Sequence, residues 1–92
     1  MLPTASPDED PPAFGIIVYI SKTDGGQTSG RVANLEGIQV TAATERDVLG
    51  RIVSTCKAAI QAATQKGEDP PWIDPPRPKE AGEQKRFLPL HL

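Results

Sequence analysis

Few side chains in this sequence have the chemistry of a nucleophile, a metal ligand or a proton-transfer group. His91 is the only histidine and Cys56 is the only cysteine. A single histidine cannot form a histidine-based metal site, and no nucleophile adjoins it in the sequence. Cys56 falls among apolar residues at helical spacing, where a buried thiol packs as a small hydrophobic group. We therefore expect neither residue to take part in catalysis.

The carboxylates are also poorly placed for catalysis. A metal-dependent hydrolytic site needs several carboxylates that converge from strand and helix positions. The most apolar strand, residues 14–20, contains none, and Glu45 and Asp47 suit the positive end of a helix dipole. The Gly25-Gly26 pair lacks the lysine and the spacing of a phosphate-binding loop. The sequence therefore predicts a protein that is not an enzyme and that binds no cofactor or metal.

Alternating and helical apolar patterns predict an α+β fold with a β-β-β-α-β order of elements. The expected architecture is a three-stranded antiparallel meander packed on one helix, with a C-terminal edge strand. The first strand is apolar on both faces, which favours a central position in the sheet. We assign strands to residues 14–20, 27–33, 38–42 and 86–92, and the amphipathic helix to residues 45–65.

Turn and cap residues separate these elements. Gly25 and Gly26 supply the positive φ angles of a tight hairpin, and Gly37 precedes the third strand. Thr44 is predicted to be the helix N-cap, with Asp47 in the position that completes a capping box. These five residues are expected to have structural roles.

Two further glycines interrupt regular elements. Gly30 lies within the second strand and suggests a bend or a bulge. Gly50 lies inside the helix, where glycine costs about 1 kcal/mol relative to alanine. We expect a close approach of the helix to the sheet at Gly50.

Proline-rich segments bound the folded part of the chain. Residues 1–13 are acidic and proline-rich, and we expect a disordered tail. Residues 14–73 form the α/β core, and residues 74–85 form a proline-rich linker. Residues 86–92 form the edge strand that completes the core, because Pro89 cannot donate to a ladder. If this strand lies beside the first strand, we expect the two to be parallel.

Three apolar residues near the end of the sequence are candidate interface residues. Trp72 is expected to pack over the end of the helix, and tryptophan is also enriched at binding hot spots. Phe87 and Leu90 belong to the predicted edge strand. Exposed strand edges and a long proline-rich hinge favour a homo-oligomer, with or without a swapped strand.

Charge and hydropathy narrow the classes of partner. The formal net charge is −2, which argues against nucleic acid as a partner, because nucleic-acid binding normally needs a basic face. The first residues lack the basic start and the apolar run of a signal peptide. No stretch approaches the roughly 20 apolar residues that span a bilayer. We therefore expect a cytoplasmic protein that does not bind membranes.

The order of turn, strand and helix start resembles the HicB antitoxin family. Residues 34–37 are similar, in their leucine and glycine, to the turn that precedes the family's third strand. Thr44 matches the start of the family's long helix, and Pro71 and Trp72 resemble the proline-bearing segment after that helix. The likeness covers about residues 14–73.

The resemblance implies a fold and a partner, and this sequence departs from the family's pattern in two ways. It implies a reduced ribonuclease-H-like fold whose members bind and mask a small ribonuclease toxin, HicA. Ala33 and Glu36 replace the prolines that flank the family's turn. Because no DNA-binding domain fits after Gly67, we expect a stand-alone domain without promoter binding.

Three hypotheses for function follow. The first is a non-catalytic protein-interaction domain that binds a HicA-like toxin. The second is an RNA-binding module, which salt-dependent binding to double-stranded RNA would reveal. The third is a degenerate ribonuclease-H-like relic without activity.

Overall fold

The computed structural model describes residues 13–91. These residues form an α+β fold with the predicted element order. The elements are β1 (Ala13–Lys22), β2 (Thr28–Val32), β3 (Gln39–Ala42), α1 (Glu45–Gln65) and β4 (Gln84–His91).

Each strand begins and ends within two residues of its predicted bounds. The predicted disordered tail lies outside the described residues except for Ala13, which belongs to β1. Leu92 also lies outside the described residues. The bounds predicted for the helix are confirmed, since α1 spans Glu45–Gln65.

The four strands form one antiparallel sheet in the order β3-β2-β1-β4. The central position predicted for β1 and the edge position predicted for β4 are both confirmed. β1 pairs with β2 through residues 18–22. It pairs with β4 over most of its length, from Ala13 opposite His91 to Ile20 opposite Gln84.

β4 runs antiparallel to β1, so the expected parallel pairing is wrong. The cause is the route of the chain after α1. Trp72 forms a bridge with Leu35 beyond the end of β2, and the chain then reaches Gln84, opposite Ile20 in the second half of β1. The chain between Trp72 and Gln84 therefore runs along the sheet from one end of β1 to the other, and β4 begins beside the end of β1 and not beside its start.

One face of the sheet packs against α1. The apolar stripe predicted for the helix is confirmed, and its central residues are buried against alternate residues of β1. The buried residues of α1 are Val48, Ile52, Cys56 and Ile60, and those of β1 on this face are Ile16, Val18 and Ile20. Burial of aliphatic side chains of this size contributes about 1.5–3 kcal/mol each.

α1 packs closely against Gly30 of β2. A Cβ atom built on Gly30 would lie 2.6 Å from Cγ1 of Val48 and 3.0 Å from Cδ1 of Ile52. A Cβ atom built on Gly50 would meet no atom within 4 Å. The strand register runs through Gly30 without a break. Of the bend or bulge expected at Gly30, the bulge is therefore absent, and the close approach expected at Gly50 is wrong.

Residues 74–83, which we call the strap, cross the middle of the other face of the sheet over Tyr19 and Arg31, and Phe87 on the same face is exposed. The Tyr19 hydroxyl donates a hydrogen bond of 2.7 Å to the Arg77 carbonyl. The Arg31 guanidinium lies 4.9 Å from the centre of the Tyr19 ring and donates to both carboxylate oxygens of Glu83 at 2.7 and 2.8 Å. The predicted linker, residues 74–85, is thus anchored to the sheet. Its last two residues belong to β4.

Asn34 continues the ladder of β1 beyond the end of β2. Its Nδ2 donates to the Gly15 carbonyl at 2.8 Å, and its Oδ1 accepts the Ile17 N–H at 3.0 Å. The Ala33 N–H donates to the Ile17 carbonyl at 2.8 Å. A side-chain amide therefore satisfies backbone groups of β1 that no strand reaches.

Candidate functional site

The groups with catalytic chemistry are dispersed or buried. Within residues 13–91, no group of three or more His, Cys, Asp and Glu side chains could hold a metal ion. Burial raises the pKa of the Cys56 thiol to about 11, so the thiol is protonated near neutral pH. His91 is exposed at the end of β4. The absence of enzymatic activity stays a prediction.

The two first-turn acids of α1 contribute to structural contacts in different ways, Asp47 through its backbone N–H and Glu45 through its carboxylate. The hydroxyl of Thr44 accepts the N–H of Asp47 at 3.1 Å, which makes Thr44 the helix N-cap. The Glu45 carboxylate pairs with Arg86 of β4, at 2.9 Å between Oε2 and Nε. This ion pair ties the start of the helix to the edge strand.

The predicted turn glycines divide by conformation. Gly26 has a φ of 83° and Gly37 a φ of 82°, a region that L side chains rarely adopt. Gly25 does not adopt this conformation. The hairpin between β1 and β2 therefore depends on Gly26 and not on both glycines.

Trp72 lies past the end of α1 with 37% of its surface exposed. Backbone hydrogen bonds hold its segment on both sides. The Ile73 N–H donates to the Asn34 carbonyl at 3.0 Å, and the Glu36 N–H donates to the Pro71 carbonyl at 3.1 Å. The indole is thus both anchored and accessible.

Exposed carboxylates occupy the segments that hold Trp72. Residues 68–74 contain three acidic residues and no cation. The fourth acid is Glu36, which the hydrogen bond from its N–H to the Pro71 carbonyl holds beside this segment. The four exposed carboxylates are Glu36, Glu68, Asp69 and Asp74. We call Trp72 and these four residues the Trp72 surface.

Phe87 and Leu90 lie on opposite faces of β4. Phe87 is 65% exposed, and its ring covers Gly15, where a Cβ atom would collide with the ring. Leu90 has no exposed surface and belongs to the core under α1. The structure corrects the expectation for Leu90, because a fully buried side chain cannot contact a partner.

Pro89 lies where the backbone of β4 faces away from β1. Gly15 and Ile17 direct their backbone groups toward Asn34, and Pro89 is opposite Gly15 in the register. Alternation along the strands then places the missing N–H of Pro89 on the free edge of the sheet. This is the position in which an edge strand tolerates proline.

An open groove of about 790 Å³ lies between β3 and α1, and we call it the β3–α1 groove. Its lining residues include Gln39, Val40 and Thr41 of β3 and Arg46, Asp47, Gly50 and Arg51 of α1. Within the described part of the chain, neither guanidinium forms an ion pair or a side-chain hydrogen bond. The groove therefore carries two unpaired positive charges.

Sequence reasoning missed the strap contacts and the β3–α1 groove. Arg31 and Glu83 are 52 residues apart, and no periodic pattern links them. The one sequence signal at the groove is Gly50, a glycine that is unfavourable in a helix interior.

No helix among residues 13–91 is long and apolar enough to cross a membrane. The chain matches no protein-family model, and it has no significant match among the curated proteins or the solved structures. Its function must therefore be inferred from its own residues.

Proposed function

We propose that this chain is a non-catalytic protein-binding domain whose partner docks on the Trp72 surface. The observation that carries the proposal is Trp72, which is 37% exposed on a segment fixed by backbone hydrogen bonds. Tryptophan is enriched among the residues that dominate binding energy. A side chain on a preordered segment also loses less conformational freedom when it binds.

The charge of the Trp72 surface indicates a basic partner. Its four carboxylates are exposed, and residues 68–74 contain no cation. Complementary potentials speed association and disfavour partners of the wrong charge. An acidic rim around a tryptophan therefore favours a protein with a basic face.

The resemblance to HicB antitoxins supplies the finer proposal. The partner would be a small basic ribonuclease that the chain binds and masks in the cytoplasm. The turn at residues 34–37 and the β-β-β-α-β order support this identity. β4 is antiparallel to β1, contrary to the pairing expected from the sequence, and the ribonuclease-H-like classification is part of the proposal.

The test is capture of the tagged chain's partner from its native lysate, followed by a ribonuclease assay of the captured protein. We expect a small basic protein whose cleavage of RNA stops when the chain is added in equal amount. Trp72→Ala should weaken capture by about tenfold or more. Phe87→Ala, which removes the other large exposed aromatic side chain, is the matched control and should leave capture unchanged.

Two results would overturn this proposal. Recovery of RNA in place of protein, with binding that falls steeply as salt rises, would support the RNA-binding hypothesis. Capture of a partner that binds Trp72→Ala as well as the original chain would exclude the Trp72 surface.

Self-association through β4 is a second candidate, favoured by the exposure of Phe87 on a free strand edge. Pairing of two β4 edges would bring the Phe87 side chains of two copies close together. Sedimentation should then show a dimer that Phe87→Ser converts to a monomer. A chain that sediments as a monomer before the substitution would exclude this candidate.

A further inference from the structure

We propose that the β3–α1 groove binds an extended acidic segment of a partner protein, which adds a strand to the free edge of β3. This inference goes beyond the function proposed above, and it uses no residue of the Trp72 surface. It rests on the backbone of β3, on the charges of α1 and on Gly50.

β3 offers unpaired backbone groups along the groove. The Val32 N–H donates to the Ile38 carbonyl at 3.0 Å, which sets the alternation of β3 relative to β2. The N–H and C=O groups of Val40 therefore point toward β2, whereas those of Gln39 and Thr41 point to the open edge. An extended peptide can pair with such an edge through main-chain hydrogen bonds.

The charges of α1 indicate the chemistry of that peptide. Arg46 and Arg51 line the groove without an ionic partner among the described residues. Among residues 13–91, Asp47 is the only acidic residue that lines it. Guanidinium groups form strong charge-assisted hydrogen bonds with carboxylates. An occupant rich in glutamate or aspartate therefore complements the groove.

An added strand presents only every second side chain to α1, because successive side chains of a strand point to opposite faces of the sheet. Arg46 and Arg51 both line the groove on the helix side. A peptide with acidic residues at alternate positions can thus present its carboxylates to the two arginines.

Gly50 keeps the helix side of the groove open. It lies between the two arginines, it is exposed, and a Cβ atom built on it meets no atom within 4 Å. Its φ does not require glycine, and no close contact with the sheet requires it either. Glycine is less favourable than alanine inside a helix. Room for a bound side chain gives this residue a role that packing within the chain does not.

The acidic residues 8–10 of the chain itself are poorly suited to this groove. Ile20 of β1 is opposite Gly30, which is opposite Val40 in the groove. Ala13 lies about 23 Å before Ile20 along β1, whereas the chain from Asp8 to Ala13 can span at most about 18 Å. The inferred occupant is therefore a segment of another protein.

The test is selection of random dodecapeptides displayed on phage against the whole chain at low ionic strength. We expect enriched peptides with acidic residues at alternate positions. Gly50→Leu should weaken their binding by about tenfold or more, although leucine is a better helix former than glycine. Loss of binding in a chain that is at least as stable cannot be attributed to unfolding.

Charge variants supply the matched comparison. Arg51→Glu should weaken the binding of the enriched peptides by about tenfold or more. Lys85→Glu makes the same charge change at an exposed position of β4 and should leave their binding unchanged. Trp72→Ala should also leave it unchanged, which separates this inference from the proposed function.

Three outcomes would overturn the inference. The selection could yield no binders, or binders without alternate acidic residues. It could also yield acidic peptides that bind the Gly50→Leu chain as tightly as the original chain.

Discussion

The two faces of the sheet are covered by different kinds of interaction. α1 covers one face with a stripe of apolar side chains at helical spacing. The strap is held against the other face by the Arg31–Glu83 ion pair, by the hydrogen bond that the Tyr19 hydroxyl donates, and by main-chain hydrogen bonds. One cover is non-directional and depends on buried area, whereas the other depends on the geometry of individual polar groups.

This difference separates global from local stability. Burial under α1 joins all four strands to one core, so a defect there should weaken the whole fold. The strap contacts are partly exposed, with 24% of the Arg31 side chain and 10% of the Glu83 side chain accessible. Segments with few buried apolar contacts open at lower free energy than the core. We therefore expect the strap to loosen before the helix face does.

The largest expected effect is on the helix face. Ile52 is fully buried, and Ile52→Ala should lower the free energy of unfolding by about 2–5 kcal/mol, because it leaves a cavity in the core. Urea denaturation followed by circular dichroism measures this loss. Leu49→Ala, at a half-buried position of the same helix, should cost less than half as much. Equal losses at the two positions would contradict the assignment of this face as the core.

Asn34 should give the next largest effect. Asn34→Ala leaves the Ile17 N–H and the Gly15 carbonyl without their side-chain partners. The expected loss is about 2 kcal/mol, together with faster hydrogen exchange of the Ile17 amide. Asn34→Asp keeps the acceptor for the Ile17 N–H but turns a second acceptor toward the Gly15 carbonyl, so this variant should also be less stable than the original chain. An unchanged exchange rate in the alanine variant would show that β1 does not rely on this side chain.

The ion pair of the strap should give a smaller, pH-dependent effect. Its hydrogen bonds from Arg31 hold the pKa of Glu83 below the ordinary value of 4.5. Because the pKa of Glu83 is lower in the folded chain than in the unfolded chain, the ionised carboxylate stabilises the fold at pH values above 4.5. This contribution is lost as the pH falls through the pKa of Glu83 in the folded chain. Because the pair is partly exposed, we expect about 1 kcal/mol.

The measurement is the free energy of unfolding between about pH 6 and about pH 3 for the original chain and for Glu83→Gln. The difference between the two chains should shrink as the pH falls below 4.5. Glu68→Gln, at an exposed carboxylate outside the strap, is the control and should run parallel to the original chain. A constant difference for Glu83→Gln would exclude a stabilising ion pair.

The same contrast explains which parts of the fold could be predicted from the sequence. The bounds of α1 and its buried stripe were predicted, because helical periodicity is a local pattern. The strap could not be predicted, because a proline-rich segment has no periodicity and the partner of Arg31 is 52 residues away. The direction of β4 was wrong for the same reason, since it depends on the route of that segment.

The candidate sites divide in a similar way. Trp72 could be singled out by residue type, but the contribution of Glu36 depends on a hydrogen bond to Pro71 that the sequence does not reveal. A glycine in a sequence indicates only that a side chain is absent. It does not tell whether the space is filled by a neighbour, as at Gly30, or left open, as at Gly50.

These two glycines give the last and smallest prediction. Gly50→Ala should raise the free energy of unfolding by about 1 kcal/mol, because alanine favours the helix and its methyl group meets no neighbour. Gly30→Ala should lower it by about 1 kcal/mol or more, because its Cβ atom would press on Val48. Urea denaturation of both variants tests the opposite signs. A loss of stability in Gly50→Ala would mean that Gly50 is already in contact within the fold, and the β3–α1 groove would then have no open floor for a peptide.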